Sequence, residues 1–271
     1  MNMELSSWSE EAFNTAPDSE NKIHEDKIAK EFGFKGGLVP GVTISSYLAH
    51  PIIEVWGLDW LSKGYAKCQI TSPLYDKEEF RVDSLTIEQN LTKAILYRSN
   101  GTISASADFS ITKELPSPPK RRHDPLINPN KEIPKSSFDV WKRLQDKGCY
   151  SFNFYWGGKD PLIYLKNDKN LPDLLRPLRG GFANLSFLLG CSNWILAGNA
   201  SMNPWLHLET TSQNFRPVNF NTNIVAEMSI NSFYEKKGHE FVDVDVNLYD
   251  EIDNFCVMTI NLIAIYKLRG A

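Results

Sequence analysis

Cysteine is scarce in this sequence and never clustered. Cys68, Cys149, Cys191 and Cys256 lie far apart and form no C-x-x-C pair, which argues against a disulfide framework or a zinc finger. Each reads as a small apolar core residue of a reduced protein. Long hydrophobic runs are missing too. The most apolar stretch, residues 181–197, is interrupted by Asn184, Ser186, Ser192 and Asn193 and falls short of a membrane span. Neither sign of charge is in large excess. A net charge of −4 gives no electrostatic case for nucleic acid as principal partner. The amino-terminal residues lack a basic segment followed by an apolar core, so no secretory signal is read there, and a cytoplasmic location is expected. A Walker A loop, a G-x-G-x-x-G turn after a strand, a G-x-S-x-G elbow and zinc-ligand spacing are all absent. The expectation is a protein with no metal and no resident cofactor.

What is present is ordinary globular composition, 42% hydrophobic and 23% charged over 271 residues, enough for one large domain or two of usual size. The most informative stretch is residues 21–48. A polar segment containing Asp18 and His24 precedes a short helix over 27–32, with Asp26 read as its N-cap and Gly33 as its stop. The glycine-rich bend Lys35-Gly36-Gly37-Leu38-Val39-Pro40-Gly41 follows. Glycine lets backbone approach a ligand closely, and the bend opens into a helix whose first N–H groups lack internal acceptors. Ile44, Tyr47, Leu48, Ile52, Val55 and Trp56 recur at spacings of three and four, predicting an amphipathic helix over 42–56 that Pro51 should break or kink.

Strand signals then dominate. Segments 79–86, 94–99 and 102–112 read as strands, the last two joined by Asn100-Gly101, a specific hairpin signal. Residues 8–16 fit either a helix or a strand. Segment 114–135 holds six prolines and a basic run, Lys120-Arg121-Arg122-His123, and reads as a linker with almost nothing to bury. Beyond it, Ser136 or Ser137 caps a helix to about residue 145. Arg179-Gly180-Gly181 leads into an apolar helix over 182–196, and strands follow at 206–216, 223–234, 240–249 and 255–268. The interval Gly41–Pro73 is nearly matched by Gly181–Pro217. A helix followed by an antiparallel sheet, twice, is a weak internal repeat.

The segment Asn21-x-Ile23-His24-x-Asp26, the helix ending in Gly33-Phe34-x-Gly36, and Val39-Pro40-Gly41 together resemble the MaoC-like (R)-specific enoyl-CoA hydratases of the hot-dog fold. That resemblance implies an α+β double hot-dog, in which two central helices are each wrapped by an antiparallel sheet. Its parts would be an N-terminal MaoC-like hot dog over 1–113, the proline-rich linker over 114–135, and a degenerate C-terminal hot dog over 136–271. The family motif pairs a catalytic Asp with a catalytic His. Here Asn21, Ile23 and His24 match it directly. Asp18 matches with one extra residue in the loop, and Lys22 stands where the family has proline. The strand ending in Asn214-Phe215-Arg216-Pro217 is similar to double hot-dog acyl-CoA thioesterases. The second half is therefore expected to complete a tunnel for a pantetheine arm and acyl chain.

On this reading the partner is an acyl-CoA or acyl-carrier thioester, with CoA entering only as part of the substrate. The expected protein is an enzyme, a hydratase or dehydratase of 2-enoyl thioesters. His24 would act as acid/base with Asp18, Asn21 and Glu20 assisting, and Gly41 and Val42 N–H groups would face the thioester oxygen. The alternatives are an acyl-CoA thioesterase, or a thioester-binding hot-dog protein without turnover. Plainer roles stand beside each assignment. Asp18 fits a turn, Asn21 an Asx-turn, and Asp26 a helix cap. His50 lies off the apolar stripe and is expected at the surface or at a domain contact. His207 and His239 fall in a strand and near a turn. Homo-oligomers of fused hot-dog pairs are compatible with this plan.

Overall fold

The computed structural model describes residues 5–270 except 129 and 131. Residues 1–4, used above in reading the amino terminus, and these two linker positions lie outside the described residues. In chain order the strands are β1 (Leu5–Glu11), β2 (Gly64–Ile70), β3 (Glu79–Glu88), β4 (Leu91–Arg98), β5 (Ile103–Ile111), β6 (Phe152–Trp156), β7 (Leu206–Asn214), β8 (Thr222–Lys236), β9 (His239–Asp250) and β10 (Cys256–Lys267). The α-helices are α1 (Asp26–Glu31), α2 (Gly41–Lys63), α3 (Phe138–Lys147) and α4 (Leu185–Asn199).

Among the described residues the strands join into one antiparallel sheet, ordered β1-β3-β4-β5-β2-β7-β10-β9-β8-β6. Read inward from either edge, each half of that sheet runs first, third, fourth, fifth, second in its own chain order. The weak repeat in the sequence is thus a full topological repeat. The halves meet where β2 pairs with β7, from Tyr65 opposite Gln213 to Gln69 opposite Glu209.

α2 and α4 are the central helices, packed on the sheet and on each other. That placement explains why α2 departs from the expected amphipathic pattern. Its first three turns, Val42 to Ile53, are buried on every face, including Thr43, Ser45, Ser46 and His50, because sheet covers one side and the second half of the chain the other. Thr43 Oγ1 lies 2.7 Å from Thr15 Oγ1 and 3.3 Å from Ser186 Oγ, so hydroxyls contact each other across the helix pair. Nor does Pro51 end the helix, since packing on all sides holds the turn around its one missing N–H. The departure from helical geometry falls at Gly57, with φ 50° and ψ −128°. Val55, counted on the apolar stripe, is 76% exposed.

Turn chemistry places the hairpins as expected. Gly101 adopts φ 79° between β4 and β5, and Thr102 N–H donates to Asn100 Oδ1 at 3.0 Å. Residues 8–11 belong to β1, which resolves the open choice for the amino-terminal segment toward strand. Ser137 is the N-cap of α3, accepting from Val140 N–H at 3.3 Å. As expected, none of the described residues of the proline-rich segment is buried, but the segment is tied down rather than free. It is a strap across the second half of the sheet: Arg122 and Asp124 N–H groups donate to the fully buried Glu227 carboxylate at 2.8 and 2.9 Å. Ser151 and Ser201 then exchange backbone hydrogen bonds with residues of the strap. Arg121 and Arg122 sit 3.8 and 4.0 Å from Glu227, so the two arginines of the basic run face one of the protein's own acids.

Candidate active site

The loop before α1 and the glycine-rich bend are folded onto one another, and this fixes His24. Leu38 N–H donates to the Ile23 carbonyl at 3.1 Å, and His24 Nδ1 donates back to the Leu38 carbonyl at 2.7 Å. Glycine at 37 permits the approach, because a Cβ there would lie 2.2 Å from the His24 carbonyl oxygen. Asp26, expected as a helix cap, instead accepts Gly37 N–H at 2.8 Å and latches the bend, while Glu25 occupies the cap position of α1. With Nδ1–H committed to Leu38, the neutral ring presents an unprotonated Nε2, 3.5 Å from Asn21 Nδ2. Burial lowers the His24 pKa from its ordinary value, against the smaller opposing effect of the Leu38 hydrogen bond.

His24 lines a cleft of about 180 Å³ whose wall also includes Gly41, the first residue of α2. In that first turn, Thr43 and Ile44 N–H groups both return to the Pro40 carbonyl, at 2.9 and 3.0 Å. The Gly41 and Val42 N–H groups have no acceptor among the described residues. They sit at the positive end of the α2 dipole. Val42 itself is not on the cleft wall; Gly41 is. Phe34, Ile70 and Leu208 supply apolar surface, so a donor-rich end and an imidazole share an otherwise greasy slot.

The carboxylates named from sequence fall elsewhere. Asp18 and Glu20 line an adjoining cleft, and no carboxylate is found among the described residues lining the His24 cleft. The reason is local: Ser19 N–H donates to the Ala16 carbonyl and Ser19 Oγ to that of Asn21, which makes residues 16–21 a tight turn. Asn21 separates the two clefts and lines both. Its amide also joins the Trp205 backbone, with Nδ2 donating at 3.0 Å and Oδ1 accepting at 3.1 Å. His50 is not at the surface but at the other expected place, a contact between halves: it is buried, stacked on Trp8 at 4.0 Å, with Nδ1 3.0 Å from Tyr164 Oη.

The second half supplies more of this cleft than the sequence suggested. Trp205 and His207, at the start of β7, form its far wall. His207 is packed so tightly on α2 that a Cβ at Gly41 would lie 2.9 Å from its Cδ2. Sequence reasoning passed over this residue because nothing in a strand of alternating polarity announces that its inward histidine meets another half's helix terminus. At the matching start of α4 there is almost no room. The cavity beside Leu185 and Asn214 measures only about 10 Å³.

No family model matches the sequence, and no curated protein matches it. The structure does have relatives. Over 98% of this chain and 96% of the other it resembles RV0216, a conserved hypothetical protein of Mycobacterium tuberculosis described as having a double hotdog fold, with TM-score 0.61 and 8% identity. This chain has the double hot-dog fold. The PpsC dehydratase domain of the same organism, solved in complex with C12:1-CoA, matches 96% of this chain and 93% of its own, with TM-score 0.52 and 10% identity. A candidate thioesterase II of Thermobifida fusca YX matches 97% and 92%, with TM-score 0.53 and 12% identity. Within this double hot-dog, among the described residues, no helix is long and apolar enough to cross a membrane.

Proposed function

We propose that this double hot-dog protein acts on acyl thioesters, and that its reaction is the reversible hydration of a 2-enoyl thioester. One observation carries the reading: the unprotonated Nε2 of His24 and the free N–H end of α2 at Gly41 open into the same apolar cleft. The thioester oxygen would lie against the Gly41 N–H, with that of Val42 behind it. His24 Nε2 takes a proton from water as the water oxygen bonds to C3. The C2=C3 electron pair moves onto the thioester oxygen as an enolate, which the helix end stabilises. On collapse of the enolate the imidazolium returns its proton to C2, so one group serves both steps and addition is syn. Asp18, assigned an assisting role from sequence, has no part in this scheme because it lines the neighbouring cleft.

A cleft of about 180 Å³ is smaller than the roughly 300–1,000 Å³ usual for drug-sized ligands. A short acyl group fits this volume, with the pantetheine arm leaving toward solvent. The carrier, CoA or an acyl-carrier protein, is the same to the cleft. The lack of a carboxylate beside His24 favours a second reading, thioester binding without turnover. Crotonyl-CoA discriminates the readings. Hydration removes the enoyl absorbance without freeing thiol, thioester hydrolysis frees thiol, and binding alone gives thermal stabilisation by butyryl-CoA with neither change.

A further inference from the structure

The His24 cleft continues beyond its own walls. Its sill, formed by Asn21 and Trp205, also lines the adjoining cleft of about 820 Å³. A further cleft of about 580 Å³ begins where that one ends, with Ile133 of the strap and Gly198 of α4 lining both. The course follows the end of α4. Asn193 lines the middle cleft, and its Oδ1 lies 3.0 Å from Nδ1 of His207 on the first cleft's wall. Gly198 stands about 7.5 Å further along the helix axis. Charge changes along this course. The exposed Asp18 and Glu20 line the middle cleft, whereas Arg143 and Lys147 line the last. Those two cations lie four residues apart on one face of α3, exposed and without an acidic partner among the described residues. Of the acids on the same wall, Asp124 is paired with Arg122, which leaves Glu132 against the two cations. Trp194, 42% exposed, stands open to the middle cleft.

Building on the reading of the His24 cleft as a thioester site, we propose that the thioester is one of CoA and that the three clefts take its three parts. The acyl group enters the His24 cleft. The pantetheine arm crosses the sill at Asn21 and Trp205 and lies along α4 against Trp194. The nucleotide end rests between the strap and α3, with its phosphates against Arg143 and Lys147. The order of charges fits this course. The arm is neutral and passes Asp18 and Glu20 freely, whereas a phosphate in the middle cleft would face two carboxylates. Asn193 and Asn203, both on the middle cleft, engage the protein through Oδ1, which leaves an Nδ2 donor on each for the carbonyls of the arm. The size of the last cleft selects the carrier. The arm of a carrier protein ends in one phosphate on a serine, but about 580 Å³ is room for a whole nucleotide, within the roughly 300–1,000 Å³ of ligand sites.

Isothermal titration with butyryl-CoA, butyryl-phosphopantetheine and butyryl-pantetheine tests this on the wild-type chain, the double variant Arg143→Ala/Lys147→Ala, and Ala197→Trp. The wild type should bind butyryl-CoA about threefold to tenfold more tightly than butyryl-pantetheine, the range of two exposed ion pairs, with butyryl-phosphopantetheine in between. That advantage should shrink as salt is raised. The double alanine variant should lose it while binding butyryl-pantetheine within about twofold of wild type. Ala197→Trp, which places an indole in the middle cleft, should weaken all three. If it does not fold, Ser201→Trp, at an exposed position on the same cleft, is read the same way. An advantage unchanged in the double variant, or butyryl-pantetheine binding untouched by the tryptophan, overturns the course proposed for CoA and leaves the His24 site intact. Butyryl-phosphopantetheine bound as tightly as butyryl-CoA overturns the choice of CoA over a carrier protein. Failure of the wild type to bind any of the three overturns the thioester reading as well.

Discussion

Asn21 and Trp205 are joined as if they were facing residues of two strands, the side-chain amide of one matching the backbone amide of the other at 3.0 and 3.1 Å. This pair ties the loop that carries His24 to the half of the chain that carries His207. Asn21 is therefore a staple between the two walls of the site.

Replacing Asn21 by Leu removes both bonds and leaves the Trp205 N–H and carbonyl without partners. The expected cost is about 1–3 kcal/mol of stability, seen as a lower denaturation midpoint with an unchanged denaturant slope. Turnover should fall as well, because the two walls of the cleft lose their common register. An unchanged midpoint would refute the staple.

Gly41→Ala puts a methyl group where His207 already stands, 2.9 Å from its Cδ2. Backbone strain is not the issue, since Gly41 is not among the glycines of positive φ. Overpacking of this kind costs about 1–3 kcal/mol. It should also depress kcat/KM sharply, because the displaced ring and the Gly41 N–H share the cleft wall. Full activity in a folded Gly41→Ala chain would contradict that arrangement.

Three histidines held below their ordinary pKa by burial, His24 among them, make the fold acid-sensitive. Burial lowers the pKa of His50 to about 4 and that of His207 to about 3, against an ordinary 6.5. Between pH 6.5 and these values the unfolded chain binds more protons than the folded one, so stability rises with pH in that window and is lost on acidification. Each group contributes a slope of about 1.4 kcal/mol per pH unit there. The contribution is fully present above pH 6.5. Urea midpoints measured from pH 7.5 to 4.5 should fall steeply below 6.5, and less steeply in His50→Phe.

Glu227 anchors the proline-rich strap through two backbone donors. Glu227→Leu strands those N–H groups and leaves Arg121 facing an apolar residue. Breaking a buried charged contact by removing one partner costs about 3–5 kcal/mol. Limited proteolysis should then cut within residues 114–135 before any strand is lost. A strap as resistant as the wild type would show that the carboxylate is not what holds it.

Much of the architecture was legible because it rests on local signals. Asn100-Gly101, the capping Ser137 and the alternation in the strands all act within a few residues, and the structure follows them closely. The departures concern α2 and the fastening of the strap, where distant chain decides. Thr43, Ser46 and His50 look like a polar face until a second helix and Tyr164 cover them. The strap looks free until Glu227, about a hundred positions later, supplies acceptors for its N–H groups. Asp18 sits six residues before His24, yet a turn sends it into another cleft. β6 was missed because five residues flanked by irregular chain carry too little alternation. His207 was visible only as a strand residue, since its packing on Gly41 is a contact that no spacing encodes.

The central claim is that His24 Nε2 moves the proton, and His24→Ala tests it most directly. Purified wild type and variant, both checked by thermal denaturation, are compared for loss of crotonyl-CoA enoyl absorbance alongside a free-thiol assay. The account predicts hydration without thiol release by the wild type, and a fall of about 10²–10⁴-fold in kcat for the folded variant. Equal hydration by a folded His24→Ala chain would contradict it.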